Sequence, residues 1–210
     1  VASLVGSEMC IRDSFSTSAS NLPALKAHLA ITKGCNNYCS FCVVPLTRGT
    51  EVSRSPQNIL EEATRLCDNG TREICLLGQN VNSYHADGVD FVELLQQLDG
   101  IKNLERIRFT SPHPKDFHPK LADAMASLPS VCEQLHLPLQ SGSNEVLKRM
   151  RRWYTTQTYL EKVEMFRSRM PDGTISTDLI VGYPGETEEN FQKTLDMMQE
   201  VRFDLIYAFK

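Results

Sequence analysis

No stretch of the chain comes near the roughly 18 consecutive apolar residues that a membrane span needs. No excess of positive charge marks it as a dedicated nucleic-acid binder either: 22 Lys and Arg stand against 26 Asp and Glu, a net charge of −4. Any contact with nucleic acid must then be local, or come from a part the chain does not carry. Cysteine is sparse and odd in number, seven in 210 residues. That excludes a secreted disulfide scaffold and implies reduced thiols in a cytoplasmic setting. With 11 Gly and 10 Pro the chain is neither collagen-like nor low-complexity. What remains, 41% apolar and 23% charged residues, is globular and long enough to bury a sizeable core.

The first twenty residues, VASLVGSEMCIRDSFSTSAS, show no sustained period and lack the basic start and continuous apolar run of a secretory signal. They read as a non-native or disordered lead, and Cys10 carries no functional weight. The opposite end, Phe209-Lys210, falls inside an apolar run with no turn signal. Residues 21–210 therefore read as one truncated domain.

Short apolar runs alternate with helical patterns between these ends. Strands are expected at Leu29–Thr32, Glu73–Leu77, Arg106–Thr110, Gln134–Leu137, Thr174–Val181 and Asp204–Phe209. Helices are expected at Pro56–Asn69, Val89–Leu98, Pro119–Ser127, Glu145–Met150 with Thr156–Arg169, and Thr187–Glu200. Ser55-Pro56 opens the first helix and Asn69-Gly70 closes it. This alternation implies parallel strands joined by right-handed crossovers, as a doubly wound sheet or a (β/α) barrel. The segments after the strands are polar and rich in Gly or Pro, which suits chemistry at the C-terminal strand ends in both architectures.

The sharpest chemical signal is Cys35-Asn36-Asn37-Tyr38-Cys39-Ser40-Phe41-Cys42, three thiols within eight residues directly after the first expected strand. A structural zinc site takes four ligands. The nearest further candidates are His28, outside the loop, and Cys67, on an expected helix. On an iron–sulfur cluster, three thiolates leave one iron open to substrate or cofactor. Zinc, or three unlinked cysteines, are the other readings.

The C-x3-C-x2-C loop resembles that of the radical S-adenosylmethionine (SAM) enzymes, whose core is a partial (β/α)6 barrel. The resemblance implies a [4Fe–4S] cluster held by Cys35, Cys39 and Cys42, with SAM chelated on the unique iron and cleaved by one electron to a 5′-deoxyadenosyl radical. It places Phe41 near the adenine, and Gly78, Gln79 and Asn80 near the methionine amino group. Thr177–Glu186, with Asp178 and Gly182, matches the segment that backs the adenine, where Gly182 and Gly185 let backbone approach a flat ligand. Gln140, Ser141 and Ser143 are candidates for ribose or methionine. Core packing for Phe41, a structural carboxylate for Asp178 and turn chemistry for the serines are the plain alternatives.

Within that superfamily, KGCNNYCSFCVVPLTRGTEVSR, LLGQNVNSY, RFTSPHP, HLPLQSGSNEVLKRMRRWYT and TDLIVGYPGETEENF together resemble the methylthiotransferases, more closely the tRNA type. Its members add a methylthio group to C2 of N6-isopentenyladenosine beside the anticodon. The ribosomal-protein aspartate methylthiotransferases are the alternative, and a non-catalytic iron–sulfur or zinc module is the alternative of another class. The resemblance implies a tRNA anticodon loop as substrate, an electron donor such as flavodoxin or ferredoxin, and a sulfur donor. It also implies an N-terminal domain with a second [4Fe–4S] cluster and a C-terminal TRAM domain, neither of which this chain carries. On the substrate side Arg48, Arg54, His113, Arg149 and Arg151 are candidates. Residues 145–169 hold a local basic excess with Trp153 and Tyr154 interleaved, suited to phosphates and an unpaired base, or else to a solvated helix face. Cys67, Cys75 and Cys132 read as core, and His28, His85 and His118 as incidental.

Overall fold

Six parallel strands carry the architecture of residues 24–210, the residues that the computed structural model describes. The expected lead at 1–20 lies outside them. The strands are β1 (Lys26–Ala30), β2 (Glu73–Leu77), β3 (Arg106–Phe109), β4 (Gln134–His136), β5 (Thr174–Ile180) and β6 (Leu205–Phe209). β1, β2 and β3 pair with Lys26 opposite Glu73 and Glu73 opposite Arg106. β4, β5 and β6 pair with Gln134 opposite Thr174 and Leu205 opposite Ser176. A parallel bridge between Ile107 and Val131 joins the two groups, with the Ile107 N–H donating to the Ser130 carbonyl at 2.6 Å and the Cys132 N–H to the Ile107 carbonyl at 3.0 Å. The strands thus follow one another in chain order. A doubly wound sheet reverses its order at a switch point. Chain order without reversal is the barrel solution, and six strands make it the partial (β/α)6 form.

The helices are α1 (Val44–Arg48), α2 (Pro56–Asp68), α3 (Phe91–Asp99), α4 (Pro119–Ser127), α5 (Asn144–Arg149), α6 (Thr156–Arg169) and α7 (Glu188–Val201). Their starts are written locally. The Ser55 hydroxyl accepts the Asn58 N–H, with Pro56 in the first turn. Asp90 and Glu93 form a reciprocal capping box on α3. Thr187 accepts the Asn190 N–H at the start of α7, where Glu188 and Glu189 face the positive end of the helix dipole. Helices cover the strands, so strand side chains are buried in near-continuous runs: Ile175, Ser176, Thr177 and Leu179 of β5 are all inside. Leu29, Ile74, Leu76, Ile107 and Leu135 meet Ile59, Leu94, Leu95, Leu98 and Phe166 in a single core.

Boundaries moved where tertiary pairing overrode the apolar run. The first strand begins earlier than Leu29 because Lys26 pairs with Glu73 in register and by a 3.2 Å ion pair. Thr32 leaves that ladder for a short antiparallel pairing with Ser53. Val89 and Asp90 belong to a hairpin with His85 and Ala86, and the helix starts at Phe91. The five-residue α1 has no buried side chain and no apolar period to reveal it.

Gly142, between β4 and α5, is packed against the α7 backbone, and a Cβ there would collide with the Lys193 carbonyl and the Thr194 Cα. Gly142→Ala is therefore expected to destabilise the fold by about 1–3 kcal/mol or more, read as a lower urea midpoint at unchanged slope.

Candidate active site

The three thiols sit in a loop pinned on several sides. The Gly34 N–H donates to Gln79 Oε1 at 2.7 Å and the Cys35 N–H to the Gly49 carbonyl at 3.3 Å. The Glu51 N–H reaches Asn36 Oδ1 at 3.1 Å, and the Ser40 N–H reaches the Met150 carbonyl at 3.1 Å. Tyr38, at φ 49°, makes the left-handed turn between the first two cysteines. Gly34, at φ 76°, passes so close to the Thr50 carbonyl that a Cβ would overlap it. The loop is thus shaped by the rest of the chain.

Cys35, Cys39 and Cys42 line one cavity of about 190 Å³ at the C-terminal strand ends. Asn37, Phe41, Gln79, Ser111, Pro112, His113, His136, Pro138, Gln140, Arg152 and Asp178 complete its wall. Every one of β1 to β5 contributes, from its end or from the loop that follows. Ser111 and Gln140 hold left-handed backbones, φ 59° and 68°. Gln140 is fixed there by its N–H to the Asp178 carbonyl at 2.8 Å and by the Ile180 N–H to its own carbonyl at 2.9 Å. Such strain persists where the surroundings over-determine it, often beside a ligand.

Two imidazoles share the cavity with the thiols, yet neither offers a free lone pair. The Lys115 N–H donates to His113 Nδ1 at 3.1 Å, so the ring proton lies on Nε2. His113 is 5% exposed and its Nε2 has no partner among the described residues. Burial, reinforced by Arg152, Lys115 and Lys162, pushes its pKa down to about 2. His136 has both nitrogens engaged, Nδ1 with Ser176 Oγ at 3.0 Å and Nε2 with Asp178 Oδ2 at 3.3 Å. The sequence reading missed His136; its signal is a strand position register-paired with Ser176, two residues before Asp178.

Arg152 is a buried cation in the same wall, 7% exposed. Its Nη1 meets Cys39 Sγ at 3.5 Å, its Nη2 the Pro138 carbonyl at 3.1 Å and its Nε the Tyr154 hydroxyl at 3.0 Å. Burial pushes the Tyr154 phenol up to about 12, so it stays neutral. Burial likewise raises the Cys35 thiol, and the neighbouring thiols and Glu51 add to the rise. Among the described residues no carboxylate pairs with Arg152.

The other expected site residues divide. Phe41, Gln79, Gln140, Asp178 and His113 reach the cavity wall, while Gly78, Asn80, Ser141 and Gly182 do not. Gly78 gives close approach to Thr32, and Asn80 donates to Asp116 Oδ2 at 2.7 Å. Ser141 faces α7, its hydroxyl 3.4 Å from Thr194 Oγ1, and Ser143 donates to Asn190 Oδ1 at 2.7 Å. Gly182 is left-handed, with open space where a Cβ would stand. At Gly185 a Cβ would strike the Arg149 guanidinium, so the close approach there is to a side chain of this protein. Arg149 donates to the Gly185 carbonyl at 2.7 Å and pairs with Glu145 at 3.2 Å. Arg54 pairs at 2.5 Å with Glu62. Lys162 and Arg169 are likewise engaged, with the Phe117 carbonyl and Asp123. Lys148, Arg151 and Trp153 are exposed and Arg48 half-exposed.

The sequence pattern of the Radical SAM superfamily matches residues 29–198. The chain belongs to the radical SAM superfamily. Among its relatives, the "tRNA-2-methylthio-N(6)-dimethylallyladenosine synthase" of Thermoanaerobacter is 53% identical over 188 residues, which are 88% of this chain and 40% of that protein. The protein of the same name from Bdellovibrio bacteriovorus is 51% identical over 89% of this chain and 42% of its own length. The chain thus spans about two fifths of the relatives it matches. Among solved structures, the radical SAM methyltransferase TsrM of Kitasatospora setae, with tryptophan and a SAM analogue bound, superposes with a TM-score of 0.73 at 18% identity over 89% of this chain and 36% of its own. The cobalamin-dependent radical SAM enzyme OxsB, with SAM bound, gives 0.68 at 15% over 87% and 27%. These two bear on the fold alone, and they match the partial barrel of this radical SAM core.

The buried His113 makes stability of the radical SAM core pH-dependent. Its pKa is near 2 when folded and 6.5 when unfolded, so between those values the unfolded chain binds the extra proton. Stability is full above about pH 6.5 and is lost as pH falls, by at most about 1.4 kcal/mol per unit. Urea unfolding at pH 7 and pH 5 should show that loss, and His113→Gln should flatten it.

Proposed function

We propose that the chain is the SAM-cleaving core of a transferase that adds a methylthio group to C2 of N6-isopentenyladenosine in tRNA. One observation carries the reading: the cavity gathers the three thiols of one short loop, and neither imidazole beside them offers a free lone pair. Among the described residues no three His, Cys, Asp or Glu side chains converge to hold a single ion. A structural zinc site takes four ligands, whereas a four-iron cluster held by three thiolates keeps one iron open. Arg152 supports the fit, because a buried guanidinium without a carboxylate is costly unless an anion stands beside it. Cys39 is that anion once it ligates iron.

In this reading Cys35, Cys39 and Cys42 hold a [4Fe–4S] cluster. When bound, the cluster and SAM supply the one-electron cleavage of the sulfonium, which no side chain can perform. Phe41, Gln79, Gln140 and Asp178 orient SAM from the cavity wall, while Gly78, Asn80, Ser141 and Gly182 set the backbone behind them. His113 donates from Nε2 to an acceptor on the substrate side. Arg149 fixes the Gly182–Glu186 loop and Arg54 the base of the cysteine loop. Arg48, Arg151 and Trp153 meet the anticodon loop. The relatives' shared name favours tRNA over a ribosomal protein as substrate. The second cluster and the TRAM domain belong to the longer protein, whose reaction further requires an electron donor of the flavodoxin or ferredoxin kind and a sulfur donor. The setting is cytoplasmic.

Two measurements test this. After anaerobic reconstitution the chain should hold about four irons and release 5′-deoxyadenosine from SAM, and alanine at Cys35, Cys39 or Cys42 should abolish both. Nucleosides of tRNA from a strain lacking the full gene should have lost 2-methylthio-N6-isopentenyladenosine. An unchanged level would refute the substrate assignment.

A further inference from the structure

Arg152 was part of a basic run in the sequence, but its surroundings set it apart from the other arginines of that run. Arg151, at φ 56°, turns the chain after α5, and the Arg152 N–H closes the turn on the Leu147 carbonyl at 2.9 Å. The side chain then runs inward. Each of its three nitrogens has one partner, and only one of these is a potential anion: Cys39 Sγ. The guanidinium also lies 5.2 Å from the centre of the Tyr154 ring. Tyr154 in turn is tied to the Pro138 and Leu139 carbonyls, each at 2.9 Å. Pro138 on one side and Tyr154 on the other hold the group beside Cys39.

We propose that Arg152 is a positioning residue that sets the reduction potential of the cluster through an N–H···S hydrogen bond and a fixed positive charge at Cys39. The inference rests on the three-cysteine cluster proposed above. Taking up one electron from an external low-potential reductant, such as dithionite, adds one negative charge to the thiolate-bound group. A guanidinium donor at a ligand sulfur stabilises that added charge more than the oxidised state, so it raises the potential. The planar fork matters as well as the charge. Lysine keeps the cation but cannot bridge Cys39, the Pro138 carbonyl and the Tyr154 hydroxyl together.

The test is an EPR-monitored redox titration of the reconstituted chain and of its Arg152→Gln, Arg152→Lys and Tyr154→Phe variants, each with iron content and SAM affinity measured alongside. At the wild-type midpoint, Arg152→Gln should lower the ratio of reduced to oxidised cluster about tenfold, about 59 mV for one electron. Arg152→Lys, which keeps the charge but not the fork, should recover only part of that ratio. Tyr154→Phe, which takes away the Nε partner but keeps the guanidinium and its bond to Cys39, should change it less than Arg152→Gln does. Should Arg152→Gln fail to fold, the lysine variant decides: an intermediate potential supports the proposal and a wild-type potential overturns it. Full iron content and an unchanged potential in Arg152→Gln would overturn the inference alone. The same result with weakened SAM binding would overturn it and give Arg152 to the SAM carboxylate instead. A wild-type chain that takes up no cluster would overturn the proposed function and this inference with it.

Discussion

Parallel pairing is the constraint from which the rest follows. Six strands run the same way, and each of the first five is returned by a helix to the same starting end. All the loops that follow the strands therefore open on one rim. Residues as far apart in sequence as Cys35, Gln79, His113, Gln140 and Asp178 then share a single wall. No one of these loops encloses a ligand, and the cavity exists only because the hydrogen-bond ladder fixes the spacing between them. The bridge at Ile107 and Val131 matters for the same reason, since it keeps the thiol-bearing half beside the half that carries His136 and Asp178.

Upon that frame the rim is tightened by polar contacts between loops. Ser40 Oγ donates to the Arg149 carbonyl at 2.8 Å and lies 2.8 Å from the Tyr183 hydroxyl. Arg149 grips the Gly185 carbonyl. The loop after β1, the end of α5 and the loop after β5 are thereby joined in one network. Thr177 stitches the interior in the same manner, donating to the Leu137 carbonyl and accepting the Leu139 N–H, each at 2.9 Å.

Much of this is legible in the sequence alone. Strands made of apolar runs, helices opened by Ser-Pro or Thr-Glu-Glu, and a three-cysteine loop are local signals. What was not legible depends on which distant groups meet. The His136–Asp178 pair spans 42 residues and two strands, so neither residue announces the other. Gly185 reads as a seat for a ligand, yet it makes room for Arg149. Arg152 looks like one more surface cation between Arg151 and Trp153, and only the turn after α5 sends it inside while leaving both neighbours exposed. Ser141 sits in a loop full of polar candidates, but packing against α7 claims its hydroxyl.

The pinning of the cysteine loop has a further consequence. Its shape is maintained by bonds from Gln79, the Gly49 carbonyl, Asn36 and the Met150 carbonyl, none of which passes through a thiol. The thiols project from a loop whose form is set by its neighbours. Replacing a thiol would then leave the scaffold of the loop standing, so that its chemistry and its framework can be altered separately.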